Sequence, residues 1–170
     1  MIYILMYLVA IVAANLSVAY FGPSATIVNA FLFIGLDLTA RDKLHDQWHN
    51  DRLVLRMGAL VLAGSVITVI LNMGAMRIAV ASTLAFAAAA LVDTLVYQKM
   101  YARPRLVKMN GSNVFSAATD SIIFPAVAFG FPLMWWIMLG QFAAKVLGGL
   151  FWSLLIVRAT RQEVEPALTE

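Results

Sequence analysis

Four charged side chains stand inside long apolar stretches: Asp37, Asp93, Asp120 and Lys145. An ionised group at bilayer depth costs about 2.5–3.5 kcal/mol on insertion scales, so each needs a partner or a task. The arithmetic is uneven, three acids against one base. If Lys145 holds one aspartate, two acids remain to take a ligand's hydrogen-bond donors or a proton, and that surplus points to transport chemistry rather than to a packing clamp. Asp37 has a structural alternative, an ion pair with Arg41 one turn on. Asp93 can snorkel toward Lys99 or Arg103. Asp120 carries the strongest signal. Ser112, Ser116 and Thr119 place a polar stripe on its side of the chain, and Pro125 cannot donate to the carbonyl of Ser121, which leaves an acceptor free and kinks a helix beside a buried acid. Lys145 shares a face with Gln141, Gly148 and Trp152, while Gly140, Ala144 and Gly148 form a small-residue ridge for a close neighbour.

The elements that must position these groups are set by composition. The chain has 170 residues, 62% hydrophobic and 12% charged, with mean hydropathy +0.86. Soluble domains are about 45–50% apolar and about 25% charged, so lipid is the solvent for most of these side chains. Disorder, nucleic-acid binding and a disulfide scaffold are disfavoured by the same composition, the scattered +3 net charge and the absence of cysteine. Lipid leaves backbone groups unsatisfied unless they bond within a helix, and a span takes about 20 apolar residues. Six apolar runs follow: 2–20, 25–39, 53–72, 78–97, 114–130 and 133–157, with a tail over 158–170. The second and fifth are short and polar, which leaves five helices as the alternative count. The expected fold is all-α, a polytopic membrane protein built as one compact six-helix domain over 1–170.

Arg41, Lys43, Arg52, Arg56, Lys99, Arg103, Arg105, Lys108, Arg158 and Arg161 fall on or beside one side of this arrangement, and Arg77 alone on the other. The positive-inside rule then puts both termini in the cytoplasm. On that topology all three acids lie in the cytoplasmic half. Trp135 and Trp136 fit an outer interfacial belt. Asn15, Ser17 and Asn29 can touch a ligand, although a hydrogen bond between helices is the commoner use of each.

His45 and His49 stand one helical turn apart, like a zinc-protease helix with Asp46 where the glutamate belongs, but no third ligand accompanies them and an interfacial loop with Trp48 at the headgroups reads better. Phosphate loops, serine elbows and paired-acid hydrolase motifs are absent from the sequence. The expectation is a non-enzyme with no cofactor and no metal, driven by an ion gradient, a partner or the substrate gradient.

Asp37-Leu-Thr-Ala-Arg41-Asp42, Leu91-Val-Asp93-Thr, Ala118-Thr-Asp120-Ser and the segment at Lys145-Val-Leu-Gly, with Asn15 after Ala14, together resemble the vitamin uptake transporter family, whose characterised members are queuosine-precursor transporters. The resemblance covers nearly the whole chain, which is shorter than the family pattern, with trimmed loops and terminus. It implies import of 7-cyano-7-deazaguanine or a related 7-deazapurine base across the bacterial inner membrane for tRNA modification. A carboxylate can accept the base's ring N–H and amine together, and a lysine or amide can donate to its carbonyl. The expected ligand set is Asp93, Asp120, Lys145, Asn15, Ser116 and Gln141, with Asp37 and Arg41 structural or coupling. The expected partners are the base and the lipid bilayer, and a second copy or a separate ATPase stays open. Six short helices and Ala10-xxx-Ala14 also resemble the membrane-embedded capture subunits of energy-coupling-factor importers. An integral membrane enzyme using His45 and His49 is the third reading.

Overall fold

Long aliphatic stretches with few helix breakers dictate the secondary structure, and the computed structural model describes residues 2–33, 44, 48, 52–100 and 105–164. Among the described residues lie six helices: α1 (Ile2–Phe21), α2 (described over 25–33), α3 (Leu53–Leu71), α4 (Met76–Lys99), α5 (Arg105–Phe129) and α6 (Trp135–Val164), with a short 3₁₀ turn at Met73–Ala75 ahead of α4. No strand occurs among the described residues. The protein is a helical membrane bundle. Ile2–Phe21 and Met73–Asp93 are long and apolar enough to cross a bilayer, and Leu55–Leu71 and Trp135–Phe151 are shorter apolar helical stretches. Large aliphatic and aromatic side chains cover the outer surface, among them Leu5, Leu62, Ile70, Trp135, Trp136 and Leu147.

The helices close into a ring in which α4 meets α1, α3 and α5. α1 packs on α3 and α4, α3 on α4, α4 on α5, and α5 on α6. α2 completes the circuit: Asn29 bonds to α1, and Phe31 meets Phe151 of α6 with ring centroids 5.7 Å apart. Close approach is made at glycines. A Cβ on Gly64 of α3 would fall 2.8 Å from Ile11 of α1, and one on Gly140 of α6 would fall 2.5 Å from Ile27 of α2. The small-residue ridge expected on α6 therefore receives α2. α4 meets neighbours on several sides with alanine, and Ala79, Ala81, Ala85 and Ala89 are all buried.

At one end of the bundle Tyr7, Met57 and Val61 enclose Leu44, which is fully buried, with Trp48 packed alongside. Arg56 lies over the Trp48 ring at 5.4 Å, within reach of a cation–π attraction. At the other end α1, α3 and α5 all stop. Gly22 (φ 77°) and Gly130 (φ 76°) turn the chain after α1 and α5 in the left-handed conformation that lacks a Cβ penalty. Asn72 accepts the Gly74 N–H at 2.9 Å to start the turn into α4.

α5 begins nine residues ahead of the apolar run 114–130, since Arg105 to Asn113 is polar but helical. Asp120 consequently sits near the middle of a 25-residue helix rather than in the half nearer Arg105.

Candidate functional site

Lys145 of α6 and Asp120 of α5 form an ion pair, part-buried, with side-chain exposures of 16% and 28%. The lysine's need for an acid is met by the neighbouring helix. Two partly desolvated opposite charges attract each other more strongly than an exposed pair and cost less to bury than a fully enclosed one. Gln141 lies one turn before Lys145 on α6 and is buried, 2% exposed, with its Nε2 lacking any hydrogen-bond partner. Ser121, next to Asp120, is 1% exposed and its Oγ is likewise without a partner. Buried polar groups are ordinarily satisfied, at a cost of about 1–3 kcal/mol when they are not. Two such orphans within a turn of a charged pair mark a place that can take hydrogen bonds from outside the chain.

Asp93 on α4 keeps a third orphan, its Oδ1, which is buried and unpartnered. It stands on the helix that packs against α5. α4 and α5 run antiparallel, with Arg77 at Val127 and Met100 against Gly111. In that register Asp93 comes level with the turn around Ser116, about one turn from Asp120, or about 6 Å along the axis. Ser116, half-buried one turn before Asp120, stands at about the level of Asp93. Thr119 turns its hydroxyl back to the Phe115 carbonyl at 2.9 Å, and Ser112 is buried. The polar stripe on α5 thus divides into a back-bonded threonine and two serines.

Asn15, expected in the ligand set, is spent elsewhere. It is 3% exposed and donates from Nδ2 to Thr68 Oγ1 at 3.4 Å, and Thr68 donates to the Gly64 carbonyl at 2.8 Å. A buried amide in a poorly polar seam takes the nearest hydroxyl. Ser65 and Thr83 join α3 to α4 at 2.7 Å. Asn29 donates to the Ala14 carbonyl at 3.1 Å and to Ser17 Oγ at 2.6 Å, the bond between helices expected of these residues. Asp37, Arg41, His45 and His49 lie outside the described residues. Among those described, no three His, Cys, Asp or Glu side chains converge as metal ligands.

Sequence reasoning passed over Ser121 as a side chain, noting only its carbonyl, and passed over Arg77 altogether beyond its charge. Arg77, at the start of α4, donates from Nε to the Val127 carbonyl at 3.0 Å. Val127 belongs to the last turn of α5, where carbonyls run out of helical donors, and a cation at that end also meets the negative pole of the helix, worth about 0.3–1 kcal/mol. Its lone position on an otherwise uncharged side was the signal available.

A family model described as "Putative vitamin uptake transporter" matches residues 1–159. The chain belongs to this family. Membership makes it a membrane transporter, in keeping with its apolar helices, and the match runs through all the helices that carry the pair, the orphans and Arg77. No curated protein and no solved structure matches the chain.

Proposed function

We propose that this vitamin uptake transporter imports a queuosine precursor, 7-cyano-7-deazaguanine or a related 7-deazapurine base, across the bacterial inner membrane, with both termini cytoplasmic. The observation that carries the reading is the Asp120–Lys145 pair at mid-helix, with the Gln141 amide and the Ser121 hydroxyl left open beside it. A neutral base of this type presents ring N–H and exocyclic amine donors on one edge and a carbonyl next to them. Asp120 accepts the donors while Lys145 and Gln141 donate to the carbonyl, so the ligand enters a pair that is already ionised and orders it further. Ser116 offers a hydroxyl on the way toward Asp93. Asp93, about one turn away along the axis on the facing α4, is the second carboxylate of the ligand set. Asn15 has a packing role, and Asp37 with Arg41 a structural or coupling one. The chain works as a secondary transporter or facilitator without catalysing a reaction.

The test is a bacterium unable to make the precursor, with queuosine in tRNA as the readout and each candidate base supplied outside. Expression of this chain should restore the modification, and Asp120→Asn, inserted at equal level, should not. Failure of every deazapurine would overturn the substrate. Sustained uptake by the purified chain alone in liposomes is expected, and a requirement for ATP and a second protein would favour the capture-subunit alternative.

A further inference from the structure

α5 is weakened and then fastened within three turns. Pro125 is buried inside the helix, has no N–H for the Ser121 carbonyl, and so loosens the last turn from the body that carries Asp120. That last turn is then held from another helix. The Arg77 guanidinium donates to the Val127 carbonyl at 3.0 Å, and its Nη2 lies so near Gly130 that a Cβ there would come within 2.9 Å of it. Gly130 itself closes the helix by donating its N–H to the Ala126 carbonyl at 3.0 Å, in the left-handed conformation. Ser121, whose carbonyl the proline leaves without its helical donor, is the residue that adjoins Asp120 and keeps an unpartnered buried hydroxyl.

We propose that Arg77 is a positioning residue for transport: by clasping the turn beyond Pro125 it keeps the Asp120–Ser121 layer shut from that end of the bundle, and release of the clasp opens the layer to water and ligand. The proposal rests on the transport reading only in taking that layer as the ligand's station. Loss of the α5 carbonyl's one cross-helix donor frees a turn whose internal ladder already lacks a bond, so the layer should open more often.

The chain has no cysteine, which permits a direct measurement. The full chain carrying Ser121→Cys, reconstituted in nanodiscs so that both faces meet solvent, is treated with a water-soluble thiol reagent. Labelling should be slow in this parent and about tenfold faster or more with Arg77→Gln added, the scale of one lost charged hydrogen bond. Arg77→Lys, which can still donate to the carbonyl, should restore most of the protection. A second cysteine probe at the buried Ala10 of α1 should keep its rate in every background. Equal labelling of Ser121→Cys with and without Arg77→Gln would overturn the clasp. Acceleration at both probes would show general loosening and overturn it too. In cells, with Ser121 intact, deazapurine uptake should fall about tenfold in Arg77→Gln and recover in Arg77→Lys, and unchanged uptake would remove the positioning role. If the natural chain takes up no deazapurine, the transport reading fails while the labelling, which needs no substrate, still decides the clasp.

Discussion

The α1–α3–α4 side of the bundle and the α5–α6 side both bury polar groups and, Asp93 of α4 apart, they treat them in opposite ways. On the first, Asn15 meets Thr68, Ser65 meets Thr83, and Asn29 next door on α2 meets Ser17. These groups are neutral and matched. On the second, Asp120 and Lys145 are charged and partly exposed, and Gln141 and Ser121 have no partner for an amide nitrogen and a hydroxyl. Matched neutral groups hold helices together at modest gain, about 0.6 kcal/mol on average in membrane proteins. Unmatched ones lower stability, and on the transport reading proposed above a visiting molecule completes them. The difference separates scaffold from station without reference to what is carried.

Substitutions can break that division or sharpen it. The largest effect belongs to the charged pair. Lys145→Met or Asp120→Asn should abolish uptake, and either should lower stability by an amount between the about 1 kcal/mol of an exposed pair and the about 3–5 kcal/mol of a buried one. The double variant, measured by thermal unfolding in detergent, should be more stable than the additive sum of the singles and still inactive. Additive losses would mean that the pair is not coupled. Next comes Gln141→Leu. It removes an unpartnered donor, so stability should stay equal or rise while uptake falls about tenfold, the scale of one hydrogen bond to the ligand. Lower stability with full uptake would move Gln141 to the scaffold side.

Smaller still is Asn15→Leu, which strands the Thr68 hydroxyl only in part because Thr68 also bonds the Gly64 carbonyl. It should cost about 1 kcal/mol or less and leave the concentration of half-maximal uptake unchanged. A selective change in that concentration would return Asn15 to the ligand set. The smallest effect is expected for Ser17→Ala. Asn29 retains its bond to the Ala14 carbonyl, so the loss should be within about 0.5 kcal/mol in the same unfolding assay.

Much of this was readable from residue types. A lone intramembrane lysine demands an acid, and the chain supplies one. Which of the three it takes is a matter of helix rotation and height, fixed by contacts such as Ile27 against Gly140 that no local pattern contains. The same gap explains Asp93. Its spacing in sequence cannot tell that the antiparallel register sets it about one turn from Asp120. Hydropathy placed the start of α5 too late because it reports lipid contact and not coil, and Arg105 to Asn113 continue the helix beyond the apolar run. Asn29 with Ser17 was legible because small polar residues on adjacent short-looped helices have few alternatives. The clasp of Arg77 was hidden, since its acceptor is a backbone carbonyl fifty residues away.

The buried alanines of α4 carry a mechanical meaning. Alanine has no side-chain torsion to freeze, so the central helix gives up no rotamer entropy to its neighbours, and it has no branch to lock between theirs. Interfaces made of large interdigitating side chains behave as gears, able to rest only where teeth and gaps coincide. The buried alanines of α4 present few such teeth, so more of the work of fixing a neighbour's height falls to polar grips such as Arg77 on the Val127 carbonyl.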